Sequence, residues 1–375
     1  MASAFDIATL SNAPMTYGEK PEAHPDAKPA LCSVKVNLIK GGLVLNIHTH
    51  HFANALHGNT HFIKLIGRTC YALVHGTELP SFDPSLLDRT FFQHLSRPDP
   101  SMAVETMLEA PPRADRHPQH KPSITVMFHL PNSKAVRLKE AASIGLGSET
   151  PWISTYDAVC ALMWRVLTRI RVPLYQSDLK SYPLWGSGVD MVPRFGLPDG
   201  IQGNCSFDIV SAASTVPPFT VAEIVSEVPL SKLASYGRQI TSSVTPEMVV
   251  DAVHDIAKVR NKWDLSIRLD SLPPLTLILT DWRTGNHCTV DWGFGKPIAY
   301  RHLFDRTMEG LSIVYPRRNG PAGKDEGLEV LVTVEKELLA QLVNDADWAK
   351  YFEYRGVDAD TEPVSAPFFG KLSKL

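Results

Sequence analysis

Apolar and polar residues follow periodic patterns along most of the chain, and the first patterns predict two strands and a helix. Apolar runs over 31–39 and 43–47 predict the strands, and residues 40–42 between them contain the glycines expected of a hairpin turn. Apolar residues then recur every three or four positions, which predicts a helix over 59–75. After an irregular leader over 1–30, the chain is therefore expected to form a hairpin followed by a long helix.

The same periodicities predict a mixed series of helices and strands further along the chain. Helical spacing occurs over 132–143, 154–170, 221–236, 246–263 and 336–354. Strand patterns occur over 123–129, 275–282, 287–294, 311–316 and 328–334, the third of them with an apolar residue at every second position. The helix over 154–170 begins with a capping box in which Asp157 takes the place of the usual Glu, so we interpret this residue as a cap. The order of elements predicts an α+β fold.

A proline-rich segment divides this pattern into two parts. Residues 76–122 contain eight prolines and no sustained periodicity, apart from a short helix predicted over 85–95. We therefore predict a first domain over 1–85, a crossover over 86–121 and a second domain over 122–375.

The composition excludes some classes of function. The 375 residues are 44% apolar and 21% charged with a net charge of −3, which argues against binding to nucleic acid or to an anionic membrane. The sequence has neither a run of 18 apolar residues nor the regions of a signal peptide, so we expect a cytoplasmic protein without a membrane span. The scattered cysteines lack metal-ligand spacing and are expected to be reduced and buried: Cys32, Cys70, Cys160, Cys205 and Cys288.

The segment 48–58 contains four histidines between the second predicted strand and the helix that follows it. On a strand, His48 and His50 share one face, and His51 points the other way into the turn. A neutral imidazole in that position can accept a proton from a hydroxyl or an amine. Two alternatives stay open at this point: hydrogen-bonded structural histidines, or a zinc pair formed by His48 and His50.

Two motifs together resemble those of the BAHD-type acyl-CoA-dependent acyltransferases, especially the fungal branch similar to trichothecene 3-O-acetyltransferase. The family carries His-x-x-x-Asp followed by Gly, and residues 51–55 with Gly58 match it except that Ala55 replaces the aspartate. The family also carries Asp-Phe-Gly-Trp-Gly far downstream, and residues 291–295 match it with the two aromatic residues exchanged. Further segments that look like the same branch lie at 37–43, 153–158, 203–204, 314–318 and 325–327.

This resemblance implies a two-domain fold with mixed sheets, similar to chloramphenicol acetyltransferase, and a channel between the domains. It implies that His51 is the general base and that Gly58 is structural. The second motif is implied to be structural as well: Asp291, Trp292, Gly293, Phe294 and Gly295. Acyl-CoA, by default acetyl-CoA, is expected as cosubstrate and a small hydroxylated fungal metabolite as acceptor, with no permanent cofactor and no metal. The resemblance identifies no CoA-binding residue, and we expect a monomer.

Two departures from the family pattern bear on activity. In the family the motif aspartate pairs with an arginine, and Ala55 cannot do so, which predicts a weakened enzyme. Family members also carry a longer stretch before this histidine, so the first domain is expected to be incomplete. A degenerate relative that binds a metabolite or a partner is therefore the second hypothesis, and a metal-dependent hydrolase using His48 and His50 is the third.

Overall fold

A β-hairpin and a long helix form the first described part of the molecule, as the sequence predicts. The computed structural model describes residues 10–11, 30–51, 53–95, 107–112, 114–261, 265, 268–304 and 307–360. Strand β1 (Cys32–Ile39) pairs antiparallel with β2 (Gly42–Thr49), and Gly41 with φ of +88° makes the turn. Helix α1 (Leu56–His75) follows and ends at Gly76, which adopts the left-handed conformation.

Little regular structure lies in the described part of the proline-rich segment. A 3₁₀ turn (Pro84–Leu87) begins with Asp83, whose carboxylate accepts a hydrogen bond from the Ser85 N–H, and α2 (Thr90–Leu95) is a short helix. Further on, Leu108 forms an isolated parallel bridge with Val259. The predicted helix over 85–95 is therefore two short helices.

A mixed seven-stranded sheet forms most of the remaining structure. Its strands are β3 (Ser123–Leu130), β4 (Trp185–Asp190), β5 (Ser206–Val210), β6 (Leu277–Asp281), β7 (Leu311–Arg317), β8 (Leu328–Glu335) and β9 (Glu353–Ala359). The spatial order is β5-β4-β6-β7-β8-β3-β9, in which only the pairs β4–β6 and β6–β7 are parallel. Side chains alternate across it, so that Val314 faces the main core while Ile313 and Tyr315 face a second apolar cluster.

Helices cover the main core side of the sheet. They are α3 (Asn132–Ser143), α4 (Thr155–Tyr175), α5 (Leu230–Ser243), α6 (Pro246–Ala257), α7 (Leu339–Asn344) and α8 (Ala346–Ala349). The predicted capping box is confirmed, because Ser154 and Asp157 exchange side-chain and backbone hydrogen bonds at the start of α4. Asp157 also accepts two hydrogen bonds from Arg238 at 2.6 and 2.8 Å, which ties α4 to α5.

The strand predicted over 287–294 is wrong. His287–Thr289 form a 3₁₀ turn and the residues after it form a loop, in which Gly293 and Gly295 have φ of +90° and +130°. These values lie outside the range of a strand, so the alternating apolar residues there form a loop, in which Trp292 is buried and Phe294 is exposed.

Three other predictions are corrected by the structure. The helix predicted over 336–354 breaks into 3₁₀, α7 and α8, because Asp345 caps the N–H groups of Asp347 and Trp348 and begins a new helix. The helix predicted over 221–236 is a π turn (Glu223–Glu227) and α5, divided at Pro229. The helix predicted over 246–263 ends at Ala257.

The sequence patterns also miss three strands, β4, β5 and β9. Strand β4 contains Gly186 and Gly188, which lower its strand propensity, and β5 and β9 lie at the two edges of the sheet, where polar residues are common. No helix among the described residues is both long and apolar enough to cross a membrane.

Candidate active site around His51

A deep cleft separates the hairpin and α1 from the edge of the large sheet that carries β4 and β5. Its volume is about 1870 Å³, and it is lined by β2, the turn after β2, α1, β4, β5 and residues 281–304. Pockets for one small ligand usually measure roughly 300–1,000 Å³. The cleft therefore has room for two ligands side by side.

His51 lies in the turn between β2 and α1 and lines this cleft. Its neighbour His50 is only 4% exposed, and the His50 N–H donates to the Leu31 carbonyl at 2.8 Å. His51 itself is exposed, and its carbonyl accepts a hydrogen bond from Asn204 Nδ2 at 2.8 Å. The backbone of the turn is thus held while the imidazole stays accessible, as a general base requires.

Asn54 fastens the same turn to the opposite side of the cleft. Its Nδ2 donates to Gln202 Oε1 at 2.9 Å, and its Oδ1 accepts from the Gly203 N–H at 2.7 Å. The Ala55 N–H in turn donates to the Gly203 carbonyl at 3.4 Å. No local sequence pattern predicts that Asn54 holds the turn, because its partners lie almost 150 residues downstream.

Gly58 explains how Asn54 reaches that position. A Cβ atom at residue 58 would overlap Asn54 Oδ1, lie 2.8 Å from Asn54 Cγ and lie 3.2 Å from the Gly203 nitrogen. Real Cβ atoms do not approach side-chain or backbone atoms so closely. A glycine at position 58 therefore leaves the space through which Asn54 crosses the first turn of α1.

Ala55 is buried at the N-cap of α1, where its side chain offers no hydrogen-bond acceptor. The arginine that an aspartate would pair with is not left uncompensated among the described residues of the cleft. Each cleft-lining arginine there has a carboxylate or carbonyl partner: Arg194, Arg238, Arg283 and Arg301. Arg283, for example, makes two hydrogen bonds to Asp281, at 2.9 and 2.7 Å.

Two titratable groups interact electrostatically with His51. Burial raises the pKa of Asp208 on β5, and the nearby His51 opposes that rise. Burial, together with smaller effects of His287 and His51, lowers the pKa of His302 to about 3. Asp208 and His302 therefore both lie within electrostatic range of His51.

His48 and His50 do not form a metal site among the described residues. Burial, together with His50, lowers the pKa of His48, which lies on β2 opposite Ser33. Within the part of the chain that the structure describes, the group of three that could hold a metal is a different one: His57, His61 and Asp199. The zinc pair considered from the sequence thus has no third ligand there.

His57 and His61 lie one turn apart on α1 and face two aspartates. His57 Nδ1 lies 3.4 Å from Asp190 Oδ2, and His61 Nε2 lies 3.1 Å from Asp199 Oδ1. Burial lowers the pKa of His61, although Asp199 opposes this change. Burial raises the pKa of Asp190, but hydrogen bonds from His57 and the Val192 N–H outweigh burial and lower it. The spacing of the two histidines is visible in the sequence, but no local pattern predicts the two aspartates, which lie more than 100 residues downstream.

Residues 291–295 form a tight loop that packs on the other side of α1. Its Trp292 N–H donates to the Gly295 carbonyl at 3.0 Å, and Asp291 Oδ1 accepts from the Gly293 N–H at 2.9 Å. Trp292 is buried in an apolar cluster with Ile63, whereas Phe294 is 65% exposed and lines the cleft. A Cβ at Gly293 would lie 2.8 Å from Val74 Cβ, so this glycine permits the close approach to α1.

The sequence and the fold both have known relatives. The model of the Transferase family matches residues 8–348. The chain is 44% identical over 356 residues to Acetyltransferase FGR3 of Gibberella zeae, covering 94% of this chain and 70% of that protein. It is 26% identical over 336 residues to Trichothecene 3-O-acetyltransferase TRI101 of Fusarium sporotrichioides, covering 88% of this chain and 70% of that protein.

Among solved structures, the chain is similar to F. graminearum TRI101 complexed with coenzyme A and T-2 mycotoxin. The TM-score is 0.69 at 21% identity, and the match covers 89% of this chain and 72% of that chain. The complex of the same protein with coenzyme A and deoxynivalenol gives a TM-score of 0.70 at 20% identity, over 89% of this chain and 72% of that chain. These likenesses confirm the predicted α+β acyltransferase fold.

Proposed function

Since the chain belongs to the Transferase family of BAHD-type acyltransferases and is an enzyme that transfers acyl groups, we propose that His51 is its general base. The cosubstrate is acyl-CoA, with acetyl-CoA as the donor by similarity to the acetyltransferases above. The acceptor is a hydroxyl group of a small natural product of the kind made in fungal secondary metabolism. The observation that carries this proposal is the exposed imidazole of His51 on a turn whose backbone is held from across the cleft.

The reaction needs one base and room for two substrates. The acceptor hydroxyl gives its proton to the His51 imidazole as its oxygen attacks the thioester carbonyl carbon. The tetrahedral intermediate then collapses, the carbon–sulfur bond breaks, and the CoA thiolate takes the proton from the imidazolium. The products are an ester and free CoA, so protons and charge balance without a metal or a redox partner.

The shape of the cleft supports two substrates in one site. Its volume of about 1870 Å³ exceeds the size of a pocket for one small ligand. Acyl-CoA enters from one end and the acceptor from the other, with the thioester carbon at His51. We propose a monomer in the cytoplasm, in which one chain supplies both walls of the cleft.

Gly58 and residues 291–295 serve as scaffold in this proposal. Gly58 lets Asn54 cross α1, and the loop at 291–295 buttresses the same helix from its other side. The division into 1–85, a crossover over 86–121 and 122–375 places His51 in the first domain and the 291–295 loop in the second. Neither Gly58 nor the loop at 291–295 supplies a reacting group.

The test is acetyl transfer by the purified chain and by His51→Ala. Both proteins are incubated with acetyl-CoA and a panel of hydroxylated sesquiterpenoids, with and without a chelator, and the free thiol and the mass of the product are measured. Transfer by the parent and a loss of roughly 10²–10⁴-fold in His51→Ala support the base.

Equal rates in the two proteins would contradict the role of His51. A parent that binds acetyl-CoA yet transfers nothing to any acceptor would favour the degenerate, binding-only relative. Activity that survives in His51→Ala and disappears from both proteins with chelator would favour metal chemistry.

A further inference from the structure

We propose that His57, His61 and Asp199 form a binding site for a divalent transition-metal ion of the zinc class, with Asp190 orienting His57. The site lies on the first turns of α1, away from the 291–295 loop, and joins that helix to the segment before β5. Its residues line the same cleft as His51, but they take no part in the base chemistry assigned to that residue. The proposal rests on the positions of four side chains and one glycine.

The three ligand atoms have the spacing of a metal site. His61 Nε2 lies 3.1 Å and His57 Nε2 lies 3.6 Å from the same oxygen, Asp199 Oδ1. All three atoms lie within 4.8 Å of one another. A tetrahedral ion with bonds of roughly 2.0–2.1 Å separates its ligand atoms by about 3.3 Å. Side-chain rotations that move the most widely spaced of these atoms by up to about 1.5 Å would therefore bring the three atoms around one ion.

The histidine spacing supplies two ligands from one helix face. Residues i and i+4 of a helix lie one above the other, and the His57 and His61 rings have centroids 4.9 Å apart. Imidazole nitrogen and carboxylate oxygen are both ligands that Zn²⁺ accepts. Three protein ligands leave the fourth position for a water molecule.

Asp190 supplies the outer contact that metal-bound histidines usually have. The Nδ1 atom of His57 lies 3.4 Å from Asp190 Oδ2, which favours the tautomer with the proton on Nδ1. In that tautomer Nε2 carries a lone pair that points towards Asp199. The Gly200 N–H donates a hydrogen bond to His57 Nε2, with 3.2 Å between the two nitrogens, and a bound metal ion would replace that hydrogen bond.

Gly200 and Asp199 make the downstream side of the site adjustable. Gly200 has φ of +93°, and a Cβ there would lie 3.3 Å from His61 Nδ1, so glycine lets the backbone approach the ring. The Asp199 side chain is 84% exposed and is free to rotate towards both imidazoles.

A metal ion at this site would hold α1 and residues 190–204 together beside the active site. Residues 190–204 hold Asp190 and Asp199 and also supply Gly203 and Asn204, which hold the turn that contains His51. An ion that joins α1 to this segment stabilises the arrangement of both without contacting the reacting atoms.

The test uses metal-free protein prepared with a chelator and then dialysed. Zn²⁺ is titrated by calorimetry, Co²⁺ is titrated by its visible absorption, and the melting temperature is measured with and without Zn²⁺. We expect one ion per chain, a tetrahedral Co²⁺ spectrum and a higher melting temperature with Zn²⁺. His61→Gln weakens the affinity at least 100-fold, Asp199→Asn at least tenfold, and Asp190→Asn roughly 10–100-fold through His57.

The control is His254→Gln on the exposed surface of α6, which leaves the affinity unchanged. Because Asp199 is exposed, Asp199→Asn provides the test even if His61→Gln does not fold. A parent that binds no stoichiometric Zn²⁺, variants at 61 and 199 that bind as tightly as the parent, or Mg²⁺ that binds as tightly as Zn²⁺ would each overturn the proposal.

Discussion

The turn that contains His51 and the first turns of α1 that contain His57 and His61 both contact residues 190–204, but in different ways. The turn that contains His51 is held through its backbone and through Asn54, and the imidazole itself is left exposed. In the first turns of α1, the imidazoles of His57 and His61 are themselves the contact groups, and they face Asp190 and Asp199.

We infer that the role of a histidine in this segment depends on which groups hold its backbone in place. Where amide groups fix the chain, the ring is free to exchange a proton with a substrate. Where the imidazole rings themselves hold the chain, they contact carboxylates and are unsuited to act as a base. We therefore propose that histidine serves proton transfer at position 51 and holds the chain together at positions 57 and 61.

The largest effect on this comparison is expected from Gly58→Ala. The added Cβ overlaps Asn54, so the side chain must leave Gly203, and overpacking of this kind costs about 1–3 kcal/mol. We expect a lower melting temperature and roughly a 100-fold lower turnover. The double variant with Asn54→Ala removes the clash, so it should lose less stability than the sum of the single variants. Strictly additive losses in thermal unfolding would show that the two residues do not interact.

Asn54→Ala alone should have a smaller effect on the same turn. It removes two hydrogen bonds and leaves the Gly203 N–H without its acceptor, which costs about 1–3 kcal/mol. We expect turnover to fall roughly tenfold while the affinity for CoA, measured by calorimetry, changes little. The matched control is Asn344→Ala on the exposed end of α7. If both variants behave alike, the turn is held by other contacts.

His287 extends the comparison to a histidine with no hydrogen-bond partner for either ring nitrogen among the described atoms. It is 2% exposed, and burial, with a smaller effect of Lys64, lowers its pKa to about 4. Since the unfolded value is about 6.5, stability from the neutral ring is complete above that pH and falls by about 1.4 kcal/mol per unit down to the folded pKa.

His287→Phe should therefore reduce the loss of stability between pH 6.5 and pH 5.5 by about 1 kcal/mol. The measurement is urea unfolding at the two pH values for the variant and the parent. An unchanged difference between the two pH values would mean that His287 is not a neutral buried group.

The smallest effect is expected from Ala55→Asp. An aspartate at this N-cap would accept hydrogen bonds from the first turn of α1 and should stabilise the protein by about 0.5–1 kcal/mol. Turnover should rise no more than about threefold, because Asn54 already holds the turn and the cleft arginines already have partners. A tenfold rise in kcat would show that the missing carboxylate is the main limit on activity.

The periodic patterns were sufficient where local and global structure agree. The hairpin, α1, the capping box of α4 and the strands β3, β7 and β8 could all be predicted, because apolar spacing and turn residues point to the same element. The loop at 291–295 could not, because its alternating apolar residues reflect the packing of Trp292 on α1.

The candidate site was predictable only in part for a similar reason. His51 and Gly58 stand out in a motif, whereas Asn54, Asp190 and Asp199 take their positions from contacts across more than 100 residues of sequence. No local pattern records such pairs, and they appear only when the chain is folded.

The assignment of His51 as the base is tested by comparing His51→Gln and His61→Gln in one experiment. For each variant, kcat for acetyl transfer and the melting temperature are measured. Glutamine preserves polarity and approximate size but cannot act as a base. We predict that His51→Gln loses at least 100-fold in kcat with an unchanged melting temperature. His61→Gln should lower the melting temperature and change kcat by less than tenfold. The reverse pattern, in which His51→Gln retains its turnover and His61→Gln loses it, would contradict the assignment of His51 as the base.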